Sequence, residues 1–302
     1  MKPALCQTVR RARFFCRILA GLLTLDGAAQ SGATLYRRIS GEDAVIEADR
    51  TLREGGIAYR AVLKETAGTA RIDRTAPWAG RACVVFHLAR NPGRGTDKYT
   101  YPLVLGSADF APAAAGGTGF TGYALRVPGP ADFSPPAGKL LVVQWWQGRP
   151  YGPPLRMALT GGDDHAVSYR FFVLNNDTLG NPSSVSRDIG GGQIPRETWT
   201  PFVVWTKFDF QGGGEVTVWQ EGRQVFTWHG KLGYNPATIP YRKPAPGSPP
   251  PNRKLQIEFG LYREQADQVH EIGFDEVRFA DIRADAQPDR PGTKPGDKLS
   301  RD

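Results

Sequence analysis

From residue 81 to residue 279, apolar and polar residues alternate with a period of two, in runs interrupted by turn-forming clusters. The clearest run is Gln256-Ile257-Glu258-Phe259-Gly260-Leu261-Tyr262-Arg263. In an extended chain Ile257, Phe259 and Leu261 point to one face, and Gln256, Glu258, Gly260 and Tyr262 point to the other. The first set reads as core. The second is polar, with a glycine that leaves space beside a tyrosine hydroxyl. The same pattern predicts strands at 81–89, 99–105, 139–146, 155–159, 167–174, 200–210, 215–220, 224–228, 254–263 and 270–279, with shorter early strands at 44–50 and 57–63. Separators such as Asn91-Pro92-Gly93, Pro128-Gly129-Pro130, Gly161-Gly162-Asp163-Asp164, Gly212-Gly213-Gly214 and Glu221-Gly222 carry the residues that turns require.

No long helical periodicity appears beyond the N-terminus, and the 36 glycines and 25 prolines suit a chain of many turns. Many strands, short turns and no intervening helices argue for an all-β sandwich or jelly roll. The proline-rich stretch 242–254 cannot pair in a ladder and is expected to form a long loop near the site. Three divisions are expected: a signal peptide at 1–29, one β-domain at 30–282, and a polar disordered tail at 283–302. The leader reading rests on Lys2, Arg10, Arg11, Arg13 and Arg17, the apolar run 18–25 and the small residues Gly27-Ala28-Ala29. That apolar run is too short to span a bilayer. The expected location is therefore secreted or periplasmic.

Removal of the leader takes Cys6 and Cys16 with it and leaves Cys83 alone in an apolar strand, an inert thiol with no internal disulfide. It also lowers the formal charge from +8 to +4, since the leader holds five basic residues and one acid. This mild basicity is compatible with a polyanionic substrate. Nucleic acid is a poor partner, because basic helix, zinc pattern and RNA-binding signature are all missing from the sequence. Histidine spacing gives no metal pattern, and no cofactor is expected; a structural calcium is compatible with such sandwiches, but no local cluster of oxygen ligands points to one. The chain is expected to act as a monomer.

Three strands carry a polar face. Val142, Gln144 and Trp146 alternate with Leu141, Val143 and Trp145; Arg81, Cys83, Val85 and His87 alternate with Ala82, Val84 and Phe86; the Tyr262 strand is the third. Were these strands neighbours in one curved sheet, Gln144, Trp146, His87 and Tyr262 would share a concave face. An amide, an aromatic platform, an imidazole and a phenol suit a sugar that bears a carboxylate.

Four segments together resemble the polysaccharide lyases of concanavalin-like β-jelly-roll fold, in particular the heparin-lyase-like and glucuronan-lyase-like group. They are Gln144-Trp145-Trp146 with Pro153-Pro154-Leu155; Trp199 through Phe208; Gly214-Glu215-Val216-Thr217-Val218-Trp219 with Gly222 and Val225; and Phe259-Gly260-Leu261-Tyr262-Arg263 followed by Phe274-Asp275-Glu276-Val277-Arg278. The second and third speak to fold more than to activity. The resemblance implies a β-sandwich with a concave substrate groove and β-elimination at a uronic acid; the modest charge of the mature chain leans away from heavily sulfated heparin and toward a glucuronan-like polymer. The resemblance also implies that Gln144 contacts the substrate carboxylate and that Tyr262 serves as the acid, often as the base too. Many relatives place a histidine two residues after that glutamine, where this chain has Trp146. His87 is the expected replacement. Trp146 is then a stacking platform, and Arg81, Arg90, Asn175 and Arg263 are candidates for holding uronate. Two other readings stay open. One is a non-catalytic carbohydrate-binding jelly roll. The other is a glycoside hydrolase, disfavoured because the paired carboxylates such enzymes need are not found at the required spacing on one strand.

Overall fold

The computed structural model describes residues 35–39, 45–46, 51–54, 57–62, 68–90, 99–112, 117–131, 133–136, 138–146, 152–175, 185–233, 254–264 and 268–289, and side chains within 68–90, 117–174, 186–233, 257–262 and 268–289. The chain divides into the units Met1–Gly32 and Ala33–Asp302, and every described residue lies in the second. The expected signal peptide, the stretch 242–253 and residues 290–302 lie outside the described residues. In chain order the strands are β1 (Leu35–Ile39), β2 (Val45–Ile46), β3 (Thr51–Glu54), β4 (Ile57–Val62), β5 (Gly68–Asp73), β6 (Cys83–Leu88), β7 (Tyr99–Pro112), β8 (Gly117–Arg126), β9 (Leu140–Trp146), β10 (Leu155–Gly162), β11 (Ala166–Asn175), β12 (Val185–Pro195), β13 (Trp199–Gln220), β14 (Arg223–Leu232), β15 (Lys254–Glu264) and β16 (His270–Ala280); a short helix, α1 (Arg283–Ala286), follows.

These strands form two antiparallel sheets. One has seven strands in the order β14-β13-β8-β16-β6-β5, with β1 also paired to β16; the other has nine, β12-β11-β10-β9-β15-β7-β4-β3-β2. Half of the strand pairings join strands that are not consecutive in sequence, among them β8 with β13 and β16, and β15 with β7 and β9. Between the sheets the inward residues interlock. Tyr123, Phe202 and Phe274 of the seven-stranded sheet meet Tyr169 and Phe259 of the nine-stranded sheet, with ring centroids 5.8 Å apart for Tyr123–Phe259, 5.2 Å for Tyr169–Phe202 and 5.5 Å for Phe259–Phe274. Trp145, Phe171 and Phe86 are fully buried beside them. Each such ring contributes roughly 1.5–3 kcal/mol by leaving water. The alternation of Ile257, Phe259 and Leu261 with polar neighbours reflects this layer, since all three lie in the core.

The alternating pattern does not predict β1, β3 or β5, nor two glycine-rich strands. Gly117–Arg126 is the central strand β8, paired with β13 on one side and β16 on the other. A Cβ on Gly122 would lie 1.6 Å from the Ala286 carbonyl oxygen, so only glycine lets α1 dock there. Val185–Pro195 is β12, whose Gly190, Gly191 and Gly192 pack directly against Phe226 and Tyr169. The two strands expected at 200–210 and 215–220 are one strand, β13. Its triglycine does not end it but absorbs a register jump against β14, from Asp209↔Leu232 to Gly214↔Gly230. The Glu221-Gly222 turn holds as expected, with φ of 53° and 79° at its two residues, the backbone of a tight hairpin turn.

The expected end of the folded domain at 282 falls short. Ala286 is buried, and the Arg278 guanidinium ties the following residues down: it donates to the Gln287 carbonyl at 2.8 Å and pairs with Asp289. Trp78 donates from its indole to the Asp289 carbonyl. Beneath this clasp β16 bulges between Asp275 and Arg278, with Glu276 at φ 51°. Glu276 is fully buried and accepts from Arg278 Nε at 2.9 Å, so its charge is compensated. Asp275 accepts from the backbone N–H groups of Trp78, Ala79 and Glu276 at 2.9, 3.2 and 2.7 Å. These two acids therefore serve the architecture. Cys83 is buried and unpaired with another cysteine, and burial pushes its thiol up to about 12, as an inert thiol requires.

Candidate functional site

On β15, β9, β10 and β11 the core takes Ile257, Phe259 and Leu261; Val143 and Trp145; Leu155 and Met157; and Phe171 and Val173. Their neighbours must face outward from the nine-stranded sheet. The register places Glu258 opposite Gln144, Gln144 opposite Arg156, Arg156 opposite Phe172 and Phe172 opposite Asp188. This is one row across five strands, with side chains about 4.5–5.5 Å apart at Cβ from one strand to the next. A second row runs Tyr262, Leu141, Ala158, Arg170. Leu141, Ala158 and Phe172 form a small apolar cluster on this outer face, and the Tyr262 ring packs against it.

The two rows diverge. They are two residues apart on β10, three on β9 and four on β15, because each step across the sheet adds a bulge: one lies on β9 between Gln144 and Leu141, another on β15 between Glu258 and Tyr262. The rows are about 7 Å apart on β10, at about 3.3 Å per residue, and the extra residues on β9 and β15 bend those strands and widen the gap toward β15. Gly260 lies within the wide end, at φ 141° and without a side chain. The result is a wedge with Glu258 and Gln144 along one edge, Tyr262 on the other, and a glycine floor. The bulges thus explain how residues of ordinary strand spacing leave room for a ring between them.

The electrostatics of this face are mixed. Lys139, just ahead of β9, holds its ammonium 3.7 Å over the Phe172 ring. Burial and the Arg156 charge lower its pKa, and Asp188 opposes them. Arg156 donates to Ser186 Oγ at 3.2 Å, and Arg170 lies 3.8 Å from Asp188. Burial alone pushes the Glu258 carboxyl from 4.5 up to about 7, so near neutrality it exists in both forms. Gln144 is buried beside it, and Trp146 is half-buried further along the same face.

Of the residues expected at the site, Gln144, Trp146 and Tyr262 are on this face. Asn175 and Arg263 belong to strands of the same sheet, but their side chains lie outside those described. His87 is a correction. Its strand, β6, is in the seven-stranded sheet, so it is not a neighbour of β9 and β15. There the imidazole lies 3.3 Å from Glu271, whose carboxylate is held by both Arg71 nitrogens at 2.8 and 3.0 Å. Period two correctly separated His87 from the core but carried no information on which sheet the strand joins. Arg81 and Arg90 flank the same strand, β6 of the seven-stranded sheet, and are exposed. Three residues of the face were missed: Glu258, Arg156 and Lys139. Glu258 was visible as an acid on the polar side of an otherwise apolar strand, and Arg156 as the one charge between Leu155 and Met157.

No family model matches the chain, and no curated protein sequence matches it. Solved structures do. The endo-β-1,4-glucuronan lyase of the fungus Trichoderma reesei is similar over 85% of this chain and 100% of its own, with a TM-score of 0.58 and 14% identity. At that identity the likeness establishes the fold. The cellulose-induced protein Cip1 (TM-score 0.40, 14% identity, 74% of this chain and 90% of that one) and the alginate lyase of Klebsiella pneumoniae (TM-score 0.41, 12% identity, 69% and 84%) are more loosely similar. The chain is therefore a β-sandwich jelly roll of the kind that a glucuronan lyase uses. Among the described residues no helix is long and apolar enough to cross a membrane, and no cluster of three or more His, Cys, Asp or Glu could hold a metal ion.

Proposed function

We propose that this protein cleaves a uronate-containing polysaccharide by β-elimination, with a glucuronan-like polymer as substrate, outside the cytoplasm. The observation that carries the reading is the wedge itself: Gln144 and Tyr262 occupy adjacent strands of one sheet and face the same way across a glycine floor. Gln144 donates to the carboxylate of the bound sugar and favours the enolate-like intermediate. Tyr262, starting as the phenolate, takes the C5 proton; the C4–C5 double bond forms as the C4–O4 bond breaks, and the same proton passes to the departing O4. One tyrosine suffices because C5–H and C4–O4 of a glucuronate lie on the same side of the ring. Trp146 offers a flat face to a neighbouring sugar. Lys139, Arg156 and Arg170 attract the polyanion.

The test is absorbance near ~232–235 nm, where the conjugated unsaturated uronate of β-elimination absorbs, during incubation with a panel of polyuronates and glycosaminoglycans. A rise with one polymer, reduced about 10²–10⁴-fold in Tyr262→Phe, supports the reading; cleavage with no such chromophore overturns it. One observation favours a second reading, a carbohydrate-binding protein without turnover. Trp146 stands where many jelly-roll lyases have a histidine, and His87 is on the other sheet. Binding to a polyuronate with no product from the wild type decides for that reading.

A further inference from the structure

Glu258 is absorbed by neither the fold nor the elimination chemistry. It projects from the centre of the nine-stranded sheet, directly across from Gln144, at the edge of the wedge. A carboxylate there would repel the carboxylate that Gln144 holds. A carboxylic acid would instead offer an O–H donor beside the amide N–H. We propose that Glu258, in its neutral form, donates a hydrogen bond to the substrate carboxylate alongside Gln144, so that the protein captures uronate chains in a pH-dependent way. This deepens the lyase reading and shares with it only the premise that a uronate enters the wedge.

The surroundings suit a neutral acid. Gln144 is uncharged, and the next position across the sheet, Arg156, is one strand further and engages Ser186. On the other side β7 places Gly106 opposite Glu258, and Arg60 of β4 takes the register position beyond it. Along its own strand the next described residues on this face are Gly260 and Tyr262. Lys139, Arg170 and Asp188 complete the charged groups described on this face. No cation stands opposite Glu258 on either flanking strand, and burial alone raises its carboxyl to about 7. Buried carboxylic acids kept neutral to donate a hydrogen bond are a known device for stabilising oxyanions. A neutral polysaccharide, lacking the carboxylate, gains nothing from it.

Calorimetric titration of the whole protein with oligoglucuronates between pH 5.5 and 8.5 tests this. Wild-type affinity is expected to fall with pH above about 7, approaching tenfold per unit, while Glu258→Gln shows no such slope because an amide donates at every pH. A wild-type affinity that is flat with pH, or a Glu258→Gln protein that keeps the wild-type slope, overturns the proposal. So does turnover that rises through pH 7 and is abolished in Glu258→Gln, which would make Glu258 the base. Circular dichroism of Glu258→Gln confirms that it folds, and Glu258→Leu, which has no donor, should bind weakly at every pH. Product formation measured in parallel separates the two ideas. Sloped binding without unsaturated product sinks the lyase reading alone, flat binding with product sinks this inference alone, and no binding to any polyuronate sinks both.

Discussion

Replacing Glu258 with glutamine should remove a specific part of the pH dependence of folding stability. The carboxyl is raised by burial from 4.5 to about 7. Between those values the unfolded chain has released the proton and the folded chain has kept it, so the folded state binds more protons. Stability therefore falls as pH rises through this window, the reverse of an acid held ionised by a cation. A difference of about 2.5 pH units corresponds to about 3 kcal/mol over the whole window, of which about 2.5 kcal/mol falls between pH 5 and pH 8. Other groups titrate in the same range, so the useful quantity is a double difference. Urea unfolding is followed for wild type and Glu258→Gln at pH 5 and pH 8, and the change in one is subtracted from the change in the other. The wild type should lose about 2.5 kcal/mol more than the variant on going to pH 8. A double difference within about 0.5 kcal/mol of zero would mean that water or a cation reaches the carboxylate, and the reasoning from burial would be wrong.

The remaining predictions concern other parts of the fold. His87→Ala should leave turnover on any responding polymer undiminished and shift stability by less than about 1 kcal/mol, since it removes only a partly exposed contact with Glu271 on the opposite sheet; a hundredfold loss of turnover in steady-state kinetics would return His87 to the chemistry. Asp275→Ala should strand the N–H groups of Trp78, Ala79 and Glu276 and cost about 3–5 kcal/mol in thermal or urea unfolding, while an effect below about 1 kcal/mol would show that water replaces the carboxylate. Gly122→Ala drives a Cβ into the Ala286 carbonyl, so α1 must lift or β8 must shift; hydrogen exchange should speed up around residues 278–289, at a stability loss of about 1–3 kcal/mol, and unchanged exchange there would refute the clasp.

Some of this was legible in the residues. Within the strand Lys254–Glu264 the core face of Ile257, Phe259 and Leu261 was legible, because a sheet buried on one side forces a period of two on any sequence that pairs there. The glycine-rich strands were not, because the steric reason for Gly122 lies in Ala286 and the reason for Gly190 lies in Phe226, both remote in sequence. Local composition marks such segments as turns, and only the approach of a distant element shows that the glycines admit a neighbour.

The site divides in the same way. The sequence by itself pointed Gln144, Trp146, Glu258 and Tyr262 away from the core, through alternation with Val143, Trp145, Ile257, Phe259 and Leu261, but the same alternation put Val142 outward and Leu141 inward, and the bulge on β9 reverses both. It could not determine which strands share a sheet. The alternation of β6 is as clear as that of β9, yet pairing depends on which edges meet, and antiparallel partners in a jelly roll are set by connections far along the chain. That is why His87 was grouped with Tyr262 and belongs with Glu271. Only the tertiary structure placed Glu258 against Gln144, and only the accumulated bulges on β9 and β15 opened the space between them and Tyr262. Burial, and with it the raised carboxyl of Glu258, comes from the neighbouring strands and not from the residue's own position in the chain.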